Sequence, residues 1–101
     1  MDNVSVGGSI HRQIAEIWVR TAKRRREAVA GQAVGRIWDV IGLLGQQPMA
    51  GVAGSCSGKP IRRFLAGDYG IYNALGAGKV RIRQVTHYKR KQAAYWNLPG
   101  E

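Results

Sequence analysis

The spacing of apolar residues changes at Pro48, and this change constrains the fold more than any other feature of the sequence. Before Pro48, apolar residues recur every three to four positions: Ile10, Ile14, Ile17 and Trp18, then Val34, Ile37, Trp38, Ile41 and Leu44. This spacing is typical of amphipathic helices. After Pro48, apolar and polar residues alternate, as in half-buried strands. The sequence therefore predicts an α+β domain in which two helices precede a sheet.

The two helical patterns predict an antiparallel hairpin. The first helix is expected to begin after Ser9, a favourable N-cap residue, and to run to about Glu27. The second helix is expected to end near Gly45, because Pro48 prevents its continuation. The connection around residues 28–31 is short, and short connections place neighbouring helices antiparallel.

Four segments are predicted to form strands. Residues 61–65, 69–75 and 80–86 are joined by the turn residues Gly67-Asp68 and Gly76-Ala77-Gly78, and they are expected to form a three-stranded antiparallel meander. A short alternating stretch, residues 3–6, predicts an N-terminal strand before the first helix. Residues 51–58 are rich in small side chains and are expected to form a loop that contains Cys56.

The C-terminal third carries two further features. The alternation in the last predicted strand slips after Arg83, which indicates a β-bulge. Residues 89–96 are expected to form a short final helix. Residues 1–101 are therefore predicted to form one domain, with a strand, a helical hairpin, a meander and a short helix in that order.

The charge of the chain points to an anionic partner. Sixteen Lys and Arg stand against six Asp and Glu, which gives a formal net charge of +10. Nucleic acid, an anionic membrane surface and an acidic protein are the three candidate partners. No run of eighteen apolar residues is present, and residues 1–8 lack the positive start of a signal peptide, so no membrane partner is expected. The single cysteine, Cys56, suits a reducing cytosol.

The sequence offers little for cofactor chemistry. No metal-ligand cluster and no nucleophilic triad is evident in the pattern of residues. Residues 54–59, Gly-Ser-Cys-Ser-Gly-Lys, lack the four-residue gap and the Lys-Ser/Thr ending of a phosphate-binding loop. We therefore expect no metal site and no other cofactor.

Several local patterns occur in an order that resembles a known family. They are residues 15–18 (Ala-Glu-Ile-Trp), residues 36–44 followed by Pro48 and Gly51, residues 61–64 with 67–72, and residues 80–87. In this order and spacing they resemble the RelE/ParE superfamily, the toxins of bacterial type II toxin–antitoxin systems. The resemblance implies a cytoplasmic toxin that is neutralised by an acidic, partly disordered antitoxin. The positive charge of the chain independently favours such a partner.

Two activities occur on this fold, and the resemblance favours one of them. ParE-like members inhibit DNA gyrase, whereas RelE-like members cleave messenger RNA on the ribosome. Nucleases of the family usually carry an arginine after the aromatic residue of the central strand, but here Gly70 follows Tyr69. This difference favours gyrase as the target. Tyr95 and the pair His87-Tyr88 resemble nuclease residues, so cleavage of messenger RNA remains the alternative. A non-toxic basic module that binds nucleic acid is a second alternative.

These hypotheses assign roles to particular residues. If the chain is a metal-independent nuclease, the catalytic residues are His87, Tyr95 and Arg81. The residues expected to bind the target or nucleic acid are Arg62, Arg63, Arg81, Arg83, Lys89, Arg90 and Lys91, and those expected to bind the antitoxin are Arg12 and Arg20. The structural alternatives are that His87 is a hydrogen-bonded residue at a strand end and that the tyrosines pack the core. The run of residues 23–26 (Lys-Arg-Arg-Arg) fits a nucleic-acid patch and a solvated helix end equally well.

Overall fold

The computed structural model describes residues 3–89 and the backbone of residues 96–97. The elements in that part of the chain are β1 (Val4–Ser5), α1 (Gly8–Arg24), α2 (Glu27–Gln46), β2 (Val52–Cys56), β3 (Lys59–Ala66), β4 (Tyr69–Gly76), β5 (Lys79–His87) and β6 (Trp96–Asn97). The predicted α+β class is confirmed.

The strands form one mixed sheet in the order β1-β5-β4-β3-β2-β6. Strands β2 to β5 make an antiparallel meander of four strands, where the sequence predicted three. The N-terminal strand β1 pairs with β5 in parallel, and β6 pairs with β2 at the other end of the sheet. The first and last parts of the described chain therefore lie at opposite edges.

Strand β2 corrects the prediction of a loop at residues 51–58. It pairs with β3 from Val52 to Cys56, and the two strands are joined by Ser57 and Gly58 with φ angles of 51° and 80°. Positive φ at both central residues is the conformation of a two-residue hairpin turn, which matches the twist of the flanking strands. Cys56 is a free, half-buried thiol at the end of β2.

The helical hairpin is confirmed, but its turn lies earlier than expected. Helix α1 ends at Arg24 and α2 already begins at Glu27, so residues 28–31 belong to α2. Glu27 suits the positively charged start of a helix, and Ala30 is completely buried. Burial of this helical turn outweighs the low helix propensity of Gly31. The N-cap of α1 is Gly7 rather than Ser9, and it makes no side-chain capping bond.

The core lies between the hairpin and one face of the sheet. The buried residues of this core are Val4, Ile10, Ile14, Ile17, Ile37, Val40, Ile41, Leu44, Ala66, Ile71, Val80, Ile82 and Val85. The predicted helical stripes supply six of these thirteen residues, although Trp18 is 37% exposed. The helices contact only this face, which we call the helix face. The other face, here the open face, carries a smaller cluster of Ile61 and Tyr72 against Cys56.

The predicted bulge is present in β5. Tyr72 lies opposite Gln84, but the next residue of β4, Asn73, lies opposite Ile82, so Arg83 has no residue across from it. An extra residue reverses the alternation of side chains beyond it. Accordingly, Ile82 and Val85 are three positions apart and both belong to the core.

The predicted helix at residues 89–96 is wrong at both of its ends. Tyr88 and Lys89 form a turn, and Trp96 belongs to strand β6. Residues 90–95 lie outside the described part of the chain. Within the described residues, neither helix combines the length and the hydropathy needed to cross a membrane.

Candidate functional site

Two of the predicted catalytic residues lie on opposite faces of the sheet. Arg81 is exposed and precedes the core residue Ile82, so its side chain lies on the open face. His87 lies beyond the bulge, on the helix face, where it lines a cleft together with residues of α1. In a strand without a bulge, residues six positions apart would share a face. The structure therefore does not bring His87 and Arg81 together.

His87 is held at the end of β5 by Tyr69. The two residues are opposite each other in the β4–β5 register, and their rings meet edge to face with centroids 5.3 Å apart. Such edge-to-face contacts are a favourable aromatic geometry. His87 Nδ1 is shielded from solvent and has no hydrogen-bond partner among the described residues. The predicted alternative of a hydrogen-bonded histidine is thus not met at this nitrogen.

A cationic cleft adjoins His87 at the tip of the helical hairpin. It has a volume of about 160 Å³ and is lined by Arg20, Thr21, Arg24, Arg25, Val29, Ala33, Asp68, Tyr69 and His87. Three guanidinium groups thus meet one carboxylate, and that carboxylate belongs to Asp68, which pairs with Lys89 at 3.4 Å. We call this feature the hairpin-tip cleft.

A second groove runs between α1 and the outer edge of β5. It is lined by Gln13, Glu16, Ile17, Arg20, Tyr69 and residues 84–87, and we call it the α1–β5 groove. Strand β1 pairs only with Val80 and Arg81, so the rest of this edge has no neighbouring strand in the described structure. Gln13 Oε1 accepts a hydrogen bond from the Val85 N–H at 2.9 Å. The side chain of Gln13 thereby occupies part of an edge that another strand would otherwise pair with.

On the open face, the side chain of Arg63 lies close to Gly70, although Arg63 is opposite Tyr72 in the β3–β4 register. A Cβ atom added at Gly70 would lie 3.2 Å from Tyr72 Cε1 and 3.4 Å from Arg63 Cδ. Arg63 also stacks on Tyr88, with Cζ 5.7 Å from the ring centroid. The absence of a side chain at Gly70 therefore makes room for a cation from the neighbouring strand.

The side chain of Arg62 forms hydrogen bonds with the backbone of a neighbouring loop. Its Nη1 donates hydrogen bonds to the carbonyl oxygens of Met49 at 3.2 Å and Gly51 at 2.8 Å. These bonds fix the connection from α2 to β2. Because successive residues of a strand point to opposite faces, Arg62 and Arg63 are not neighbours on one surface.

The remaining predicted residues are scattered. Arg83 is exposed at the bulge, and Lys89 is exposed beside Asp68. Arg12 and Arg20 are exposed on α1, and Arg20 lines both grooves described above. Arg90, Lys91 and Tyr95 lie outside the described residues, so their predicted roles stay predictions.

Arg24 and Arg25 line a concave surface that the sequence did not predict. The run of basic residues at 23–26 was evident, but its position beside His87 depends on three separate segments meeting at one end of the sheet. The slip in the alternation of β5 was the one sequence feature that could have indicated this position. It moves His87 to the opposite face of the sheet from the one that a regular strand would give it.

The described residues contain no group of three His, Cys, Asp or Glu side chains placed to hold a metal ion. The sequence matches no protein-family model and no curated protein. The functional interpretation therefore depends on the fold, the charge and the geometry of these surfaces.

Proposed function

We propose that this protein is the toxin of a type II toxin–antitoxin system of the RelE/ParE type and that it stops growth by binding DNA gyrase in the cytoplasm. The order of elements supports the proposal: a short strand, a helical hairpin and an antiparallel meander whose last long strand pairs with the first. The net charge of +10 supports an anionic partner.

One observation favours binding over cleavage as the mode of action. Metal-independent cleavage of RNA needs a base, a cation that stabilises the phosphorane and an acid around one phosphate. His87 and Arg81 lie on opposite faces of the sheet, so they cannot act on the same phosphate. A binding inhibitor needs only a shaped, charged surface, and Arg81 and Arg83 are both exposed.

The α1–β5 groove supports the second part of the proposal, an acidic antitoxin. An extended peptide can add as a strand to the outer edge of β5 beyond Arg81, where β1 does not pair, and this is a common mode of peptide recognition. Next to this groove, Ala15 and Val19 on α1 form an apolar strip, and the charged residues beside it are Glu16, Arg20 and Lys23, with a net charge of +1. This surface fits a segment that carries both apolar and acidic side chains. Because the contacts include exposed charges, binding should weaken as salt is added.

Cleavage of messenger RNA is the second candidate, and one observation favours it. Two cations lie near the ring of Tyr88: Arg63 Cζ is 5.7 Å and Lys89 Nζ is 6.0 Å from the ring centroid. Cations beside a phenol on one face are groups that can bind a phosphate and donate a proton. In this case Arg63 and Tyr88 would act instead of His87 and Arg81.

Pulse expression of the chain in bacteria tests the two modes together. We expect growth to stop, plasmid supercoiling to fall and translated messages to stay intact. Cleaved messages with normal supercoiling would contradict gyrase as the target. Loss of that cleavage in Tyr88→Phe, but not in Arg12→Gln as a control, would assign the second candidate function instead. Normal growth in the presence of folded protein would contradict both.

Coexpression tests the antitoxin. An acidic protein encoded beside the toxin should restore growth and bind the purified chain. Replacing Arg20 and Lys23 with Glu should weaken that binding at least tenfold, since these side chains flank the proposed surface. The same charge change at Arg81 and Arg83, on the other face of the sheet, is the matched control. Equal losses in both variants would show that only the net charge matters.

A further inference from the structure

We propose that the hairpin-tip cleft is a binding site for a phosphate group, either as the free anion or as a monoester. The inference is independent of the proposed toxin function, because it depends on the cleft alone. The shared chemistry of the ligand is a phosphate group with at least three free oxygens, and its three sources are inorganic phosphate, a mononucleotide and the 5′ end of a nucleic acid.

The arginines of the cleft come from a single stretch of chain. Arg20 and Arg24 are one helical turn apart on α1, so they lie on the same side of the helix, and Arg25 follows as the C-cap. None of the three makes an ion pair in the described structure. Three like charges around one concavity repel each other, and an anion placed between them removes that repulsion.

The helix ends contribute little net charge here. The end of α1 is the negative end of its dipole, and the start of α2, after two intervening residues, is a positive end. The two partial charges lie side by side and largely cancel. The arginine side chains therefore determine the sign of the potential in the cleft.

His87 supplies an observation that is independent of the arginines. Its Nδ1 is buried without a hydrogen-bond partner in the described part of the chain, although the ring lines the cleft. Buried polar atoms are normally satisfied, so an unpartnered one indicates a missing ligand or a functional role. Because Nδ1 is shielded from solvent, a ligand oxygen can provide the missing bond only after the imidazole ring turns towards the cleft. The hydroxyl of Thr21 lines the same cleft and can donate another.

The number of charges favours phosphate over a single carboxylate. A phosphate monoester carries a charge of about −1.5 to −2 near pH 7 and has three strong acceptor oxygens. Guanidinium groups bind such oxygens in pairs, and three of them with Thr21 and His87 can surround a tetrahedral anion. The single carboxylate of the cleft, Asp68, already pairs with Lys89, so it does not neutralise the charge of the arginines.

Calorimetric titration of the full chain with inorganic phosphate tests the proposal. We expect saturable binding that chloride at the same ionic strength does not reproduce. The double variant Arg20→Gln/Arg24→Gln should lose at least tenfold in affinity. The double variant Lys59→Gln/Lys79→Gln removes the same charge from exposed positions at the starts of β3 and β5 and should change the affinity less than twofold. Equal weakening in both variants, or a response that does not saturate, would overturn the proposal.

NMR of the histidine side chains provides a second measurement that does not depend on the variants' stability. Phosphate should shift the His87 ring signals with the same saturation curve as the calorimetry, while the ring of His11, which packs against Trp38, should stay unchanged. Equal shifts of both histidines would contradict a defined site.

Three further titrations identify the source of the phosphate. Tighter binding of an oligonucleotide with a 5′-phosphate than of the same oligonucleotide with a 5′-hydroxyl supports a nucleic-acid end. Tighter binding of a mononucleotide than of phosphate, with no gain from a longer chain, supports a free nucleotide. Equal affinity for all phosphates supports inorganic phosphate. Tighter binding of acetate than of phosphate would contradict the assigned ligand chemistry.

Discussion

Replacing Gln13 with alanine is expected to destabilise the fold by about 1 kcal/mol. The Gln13 side chain accepts the Val85 N–H at 2.9 Å and joins residues 72 positions apart in the sequence. A donor left without its partner costs about 1–3 kcal/mol, and the low end applies because this bond is only partly buried. Alanine returns a few tenths of a kcal/mol through its higher helix propensity. For a domain of this size, the melting temperature should fall by about 4–8 °C.

The matched control is Gln32→Ala. Gln32 is an exposed glutamine of α2, and its side chain makes no hydrogen bond in the described structure. Urea unfolding of both variants separates the effect of the bond from that of helix propensity. Hydrogen exchange should also show faster exchange of the Val85 amide in Gln13→Ala alone. If both variants unfold at the same urea concentration and Val85 exchange is unchanged, the bond does not hold α1 on β5.

Three further predictions can be checked by the same urea unfolding. Arg62→Ala should cost about 1–2 kcal/mol because it removes two hydrogen bonds to loop carbonyls, whereas Arg83→Ala should be nearly neutral; equal losses would contradict the role of Arg62. Gly51→Ala should lower the free energy of unfolding by about 1–3 kcal/mol, because its Cβ would lie 2.8 Å from a carbonyl oxygen of β3. Gly31→Ala, in open space on α2, should raise it by about 0.5–1 kcal/mol, and the opposite order would refute this packing. Lys89→Ala should change stability by less than about 0.5 kcal/mol, since the Lys89 and Asp68 side chains are 62% and 59% exposed; a larger loss would mean that this ion pair is structural.

The helices and the meander could be predicted because their apolar spacing is strong. The stripes of Ile10, Ile14 and Ile17 and of Ile37, Ile41 and Leu44 are buried as expected. Strand β2 was missed because its sequence, Val-Ala-Gly-Ser-Cys, neither alternates nor is rich in β-branched residues. Its conformation comes from pairing with β3, which is a tertiary effect that local propensity does not contain.

The candidate site shows how one residue can decide a functional interpretation. The slip after Arg83 was recognised as a bulge, but its consequence for His87 follows only from the register with β4. The same slip separates His87 from Arg81 and places it beside Arg20 and Arg24. The convergence of these side chains could not be predicted from their positions in the sequence, because it depends on how α1 lies over the end of the sheet.

The supercoiling activity of purified DNA gyrase tests the central claim most directly. Relaxed plasmid and gyrase are incubated with increasing amounts of the folded chain. We expect supercoiling to fall as the chain is added, because a protein that binds gyrase through exposed cations of the open face inhibits it without any catalytic step. The variant Arg81→Glu/Arg83→Glu should inhibit at least tenfold more weakly, since both side chains are exposed on the open face. Full supercoiling at every concentration of the folded chain, together with cleavage of messages on translating ribosomes, would contradict the account.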